Sequence, residues 1–136
     1  MTRAEAEVAN RTVSTTKKLA SKRQIEAAIQ HYKKGEFECA ITLAHAGENI
    51  LNKPGSRIIS LYERLKEAIV DKDHNELPVW LKHSSGSDTK SISELEVVVL
   101  IQRAISKFVA TFDGATSAMK AFSESERKKF ETENAQ

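Results

Sequence analysis

Ser93-Glu94-Leu95-Glu96-Val97-Val98-Val99-Leu100-Ile101-Gln102-Arg103-Ala104-Ile105-Ser106-Lys107-Phe108-Val109-Ala110-Thr111-Phe112 is the stretch whose reading decides the fold. Its valine run, with Ile101 and Ile105, reads as strand if residue type alone is consulted. Three features read as helix instead. Ser93-Glu94-Leu95-Glu96 is a capping box, in which a serine and the glutamate three residues on satisfy backbone donors at a helix start. The run is far longer than an ordinary strand. Leu95, Val98, Ile105, Phe108 and Phe112 follow the 3.6-residue period, and burial overrides β-propensity. Asp113-Gly114 closes the segment.

Upstream, the Ser14-Thr15-Thr16 cluster caps a helix that runs to about Lys34 and ends at Gly35, the residue type suited to a left-handed stop. Its apolar positions are Leu19, Ile25, Ala28, Ile29 and Tyr32, with lysines and Arg23 on the other side. A second helix spans Glu36 to about Leu51. It carries two apolar stripes, one from Phe37, Ile41 and Ala44, the other from Cys39, Leu43, Ala46 and Ile50, so it is expected at the centre of a bundle. Asn52-Lys53-Pro54-Gly55 breaks it, and a third helix is expected from Ser56 to about Asp71. Residues 72–90 are irregular, with a short helix from Pro78 and then a Ser/Gly loop. Downstream of Gly114, a last segment from Thr116 to Phe122 and then Ser123-Glu124-Ser125-Glu126 onward is weakly helical and ends in a charged tail. These elements predict an all-α fold, an antiparallel bundle of four to five helices. The expected layout is a flexible N-terminal tail over residues 1–13, one helical-bundle domain over 14–122 and a charged C-terminal tail over 123–136.

Bulk properties agree. The 136 residues suffice for one core without staples, and 40% hydrophobic against 29% charged residues is the balance of a globular chain. No apolar run approaches the roughly 20 residues that span a bilayer, so no membrane partner is expected. The start of the chain lacks the apolar run of a secretion signal, and the single cysteine, Cys39, has no partner for an internal disulfide. The expected compartment is therefore the cytoplasm. The net charge of +2 is mild, but residues 1–34 carry eight Lys/Arg against three Glu. Such a face either contacts phosphate or is simply solvated.

Common catalytic signatures are absent: no phosphate-cradling glycine loop, no zinc-spaced cysteine pair, no nucleophile elbow. What remains is a set of polar residues on apolar helices. His45 and Glu48 share one face of the second helix, and a carboxylate among Ala, Ile and Leu needs a partner. Arg103 and Lys107, one turn apart on the long helix, are the matching cations. Either one of them pairs with Glu48 across the bundle, or both line a pocket for an anionic ligand. No metal site and no cofactor is expected, because no second Glu-x-x-His accompanies His45 and Glu48. Cys39 reads as an ordinary buried thiol.

Pro78-Val79-Trp80-Leu81-Lys82-His83 carries a resemblance to the HEPN superfamily, small helical bundles that are often dimeric. Many members are metal-independent RNases of toxin–antitoxin and defence systems, with an arginine, four to six residues, then a histidine as their signature. His83 occupies the histidine position, while Pro78 stands where the arginine belongs and Val79 where an asparagine is common. Gln24–Ile29 and Ala40–Glu48 also look like the first two helices of a bacterial HEPN-like group, and the likeness extends over about residues 20–112. It implies a bundle and a homodimer. RNA cleavage needs a proton acceptor and a cation on the phosphorane. His83 suits the first role, but Lys82 cannot replace the arginine, because adjacent helical side chains diverge by about 100°.

The resulting expectation is a non-catalytic HEPN-like binding or regulatory module, more a binder than an enzyme, with a protein partner or nucleotide/RNA as ligand. Trp80, Lys82 and His83 form its foremost face, and Glu48, Arg103 and Lys107 its second. Two alternatives stand beside it: an RNase using His83 with a displaced cation, and a small-molecule binder with a polar pocket at Glu48 and Arg103.

Overall fold

Thr16 opens the first helix, its Oγ1 accepting the Leu19 N–H at 3.0 Å from an extended backbone. That helix, α1, spans Lys17–Lys33 in a computed structural model that describes Thr2, residues 10–51 and residues 75–134. The expected break at 52–55 and the expected helix over 56–71 lie outside the described residues. Residues 10–13 carry no helix. At the far end of α1, Gly35 takes φ +78°, the Gly35 N–H bonds the Tyr32 carbonyl and the Glu36 N–H bonds the His31 carbonyl. This paired closure is the Schellman stop that the glycine announces.

Helix α2 (Phe37–Asn49) follows after this tight turn. Helix α3 (Glu76–Lys82) begins two residues before Pro78, the start expected from sequence. Proline is tolerated there because the first-turn amides have no intrahelical acceptor. Helix α4 (Glu94–Phe112) starts at the Ser93 capping box and takes in the valine run. Ser93 Oγ accepts the Glu96 N–H at 3.2 Å, and Asp113 ends the helix at φ +60° with its N–H on the Val109 carbonyl. Helix α5 (Ser117–Asn134) runs well past Phe122, through the residues expected to form a charged tail. Met119, Phe122 and Glu126 are buried along one of its faces, and Phe130 packs against the same core, so tertiary burial sustains a helix that charge content alone does not suggest.

Side-chain pairs fix the directions. Ser21 meets Gly47 and Tyr32 stacks on Phe37, so α1 and α2 are antiparallel. Lys18 lies over Phe112 while Tyr32 reaches Glu94, so α4 is antiparallel to α1 as well. Gln102 bonds Ser123 and Glu94 pairs with Lys129, which sets α5 antiparallel to α4. The described residues thus form an all-α bundle in which α1 and α5 are antiparallel to α2 and α4, while the packed pair α2 and α4 run in the same direction.

Helix α4 is the most deeply buried of the described elements, and α2, expected at the centre, packs against α1, α3 and α4. Val97 through Gln102 are all buried, as are Ala104, Ile105, Ser106 and Phe108. Helix α2 buries one stripe of Ala40, Ile41, Ala44, Gly47 and Glu48, and leaves Cys39, Leu43, Ala46 and Ile50 half-buried. Small residues explain its position: a Cβ at Gly47 would stand 2.9 Å from Ile25 Cγ1 and 3.3 Å from the Ser21 carbonyl oxygen. The missing side chain lets α2 lie close on α1, with Ser21 Oγ donating to the Gly47 carbonyl at 2.9 Å.

Candidate functional site

Helical spacing puts His45 and Glu48 on one face of α2, and the same rule aligns Arg103 with Lys107 on α4. The bundle brings the two faces together. Glu48, with 4% of its side chain exposed, receives the Arg103 Nε at 2.8 Å on Oε1 and 2.9 Å on Oε2. Lys107 Nζ reaches Oε1 at 2.7 Å. Both cations therefore hold the carboxylate, where the sequence suggested one. Arg103 continues outward, its Nη2 donating to Asn75 Oδ1 at 3.0 Å, so the guanidinium ties α2, α4 and the residue before α3 together.

Lys82 is the further member. Its Nζ lies 3.2 Å from His45 Nε2, which joins the end of α3 to the buried carboxylate cluster. An ammonium can only donate, so Nε2 accepts and the imidazole proton sits on Nδ1. Nδ1 is buried and has no hydrogen-bond partner among the described residues. The His45 pKa lies below its ordinary 6.5, first because burial disfavours the cation and second because Lys82 is beside it; the Glu48 charge pulls the other way.

The remaining sequence candidates sit at the edge of this cluster. Trp80 is half-buried, and its Nε1 donates to the Ser87 carbonyl at 2.8 Å, strapping the loop after α3 onto its own helix. Gly86 adopts φ +98°, and a Cβ there would come within 3.5 Å of the indole. Lys90 pairs with Glu76 and closes the strap. His83 is the exposed C-cap of α3 and makes no hydrogen bond or ion pair among the described residues. Cys39 is half-buried in a shallow groove of about 310 Å³ with His31, Thr42 and Leu81. Among the described residues, no three His, Cys, Asp or Glu side chains converge on one point, and no helix is long and apolar enough to cross a membrane.

A second polar site was not foreseen. Tyr32, Glu94, Glu126 and Lys129 surround a cleft of about 560 Å³ at the opposite end of α4. The Tyr32 hydroxyl donates to Glu94 Oε1 at 2.7 Å, and Lys129 Nζ lies 3.3 Å from Glu126 and 3.6 Å from Glu94. Burial and the two carboxylates push the Tyr32 pKa well above its ordinary 10.0. For Lys129, desolvation works downward, but the Glu126 and Glu94 charges outweigh it and hold the ammonium above its ordinary value. The sequence did carry one signal: Phe122, Glu126 and Phe130 recur every four residues, which places a carboxylate in an apolar stripe. Comparisons with protein families, with curated proteins and with solved structures find no match.

Proposed function

We propose that this bundle is a non-catalytic, HEPN-like binding module of the cytoplasm, a homodimer that takes a phosphate-bearing ligand, nucleotide or RNA, where α3 meets α2 and α4. The observation that carries the reading is the 3.2 Å approach of Lys82 to His45. It adds a third cation to Arg103 and Lys107 around one carboxylate, so the described groups of this face carry more positive than negative charge. Lys82 is exposed, and a solvent-facing ammonium backed by two further cations attracts phosphate. The non-catalytic part of the reading rests on Pro78, which occupies the place of the motif arginine, and on His83, which no described arginine or lysine engages.

The test is fluorescence anisotropy with a labelled single-stranded RNA, and a parallel arm with a nucleotide, at two salt concentrations. Wild type binds, and affinity falls with salt. Lys82→Ala weakens binding about tenfold, the size of one lost phosphate contact in a shared site. His83→Ala leaves binding unchanged and the RNA intact. Cleavage by wild type in chelator that disappears in His83→Ala would establish the RNase alternative instead. Binding of the nucleotide but not of RNA narrows the ligand to a nucleotide. A ligand-dependent rise in melting temperature that is lost in a folded Glu48→Ala variant assigns the small-molecule alternative. Sedimentation of the same protein reads the dimer.

A further inference from the structure

Helix α5 lays an ammonium into a cleft that is built like a receptor for one. The cleft, about 560 Å³, lies in the size range of small-molecule sites. Its acidic wall is Glu94 and Glu126. Only 9% of the Glu126 side chain is exposed, and a carboxylate so placed needs a cation. The Tyr32 hydroxyl donates to Glu94 and also faces Glu126, and Lys129 is the cation that pairs with Glu126. The other wall is aromatic. Lys129 Nζ stands 5.7 Å from the centroid of the Tyr32 ring, which Phe37 stacks at 5.9 Å and Phe122 meets edge-on at 5.6 Å. Aromatic faces and carboxylates together select organic cations over neutral molecules and repel anions.

Lys129 is an ill-suited permanent resident. Its side chain is 53% exposed, and holding a long flexible stem in one rotamer costs entropy. A free ammonium of similar shape makes the same contacts but bears its own entropy cost of association, so it displaces Lys129 only at high concentration. We propose that this cleft is a binding site for a small alkylammonium ligand, and that Lys129 occupies it in the free protein as an internal competitor. The site is separate from the Lys82 face and does not depend on that reading.

The probe is 1,4-diaminobutane, with uncharged 1,4-butanediol as the size-matched control, followed by calorimetry and by melting temperature at low ionic strength. Wild type binds the diamine weakly. Lys129→Ala removes the competitor and binds about tenfold tighter, within the range that a tethered group at millimolar effective concentration imposes. Where the substitution lowers the melting temperature, the diamine restores it and the diol does not. Adding Glu126→Gln to Lys129→Ala abolishes the effect. Equal responses of Lys129→Ala to diamine and diol overturn the proposal, as does diamine binding that survives Glu126→Gln.

Discussion

Arg103 reaches across from α4 to hold Glu48 of α2 through Nε at 2.8 and 2.9 Å, at a point where 13% of the arginine and 4% of the glutamate side chain meet solvent. Removing one partner of a buried pair leaves an uncompensated charge, which costs about 3 kcal/mol or more. Lys107 shares the carboxylate but is 28% exposed, so its loss is partly made good by water. Arg103→Ala therefore lowers the unfolding free energy by about 3 kcal/mol and Lys107→Ala by about 1 kcal/mol, as read from urea melts. Equal losses would mean that the two cations serve Glu48 interchangeably.

Gly47→Ala tests the close packing of α1 on α2. Alanine in a helix interior is intrinsically better than glycine by about 1 kcal/mol. Against this stands a Cβ at 2.9 Å from the fully buried Ile25, with the Ser21 backbone oxygen at 3.3 Å, and overpacking of that kind costs about 1–3 kcal/mol. The expected sign is a net destabilisation near 1 kcal/mol in chemical denaturation. A more stable variant would show that the two helices separate without strain.

His45 makes stability depend on pH on the acid side. Its folded pKa lies below 6.5, so the unfolded chain binds the proton more tightly. The contribution is present above 6.5 and is lost as pH falls through the folded value. A proton titration by NMR places the His45 midpoint below 6.5 in wild type. Lys82→Ala moves it upward, because one of the charges opposing the imidazolium is gone. An unmoved midpoint would separate Lys82 from the imidazole.

Tyr32 acts at the alkaline end. Its folded pKa is raised above 10.0, so its stabilising contribution is complete below pH 10 and declines as pH rises from there toward the folded value. With the sequence's other tyrosine removed by Tyr62→Phe, absorbance at 295 nm shows no tyrosinate near pH 10 until the chain unfolds. A normal titration step at pH 10 would remove Tyr32 from its place between the carboxylates.

Helix identity and most helix ends could be read in the sequence because the signals are local. Thr16 and Ser93 satisfy amides three residues away, and Gly35 relieves a turn at its own φ. Glu48, too, announced its need for a cation, since a charge among apolar neighbours cannot stay unpaired. What the sequence left open is which groups meet across the bundle. That both Arg103 and Lys107 hold Glu48, that Lys82 lands on His45, and that Trp80 binds its own loop all depend on helix register. The same holds for the end of α5 and for the cleft it forms. Residues 123–134 look like a solvated tail until Phe122, Glu126 and Phe130 find α4 and Tyr32, and Tyr32 finds Glu94 only because the packing aligns one end of α1 with the start of α4. Backbone preference acts over a few residues, whereas register is chosen by the fit of whole helix faces.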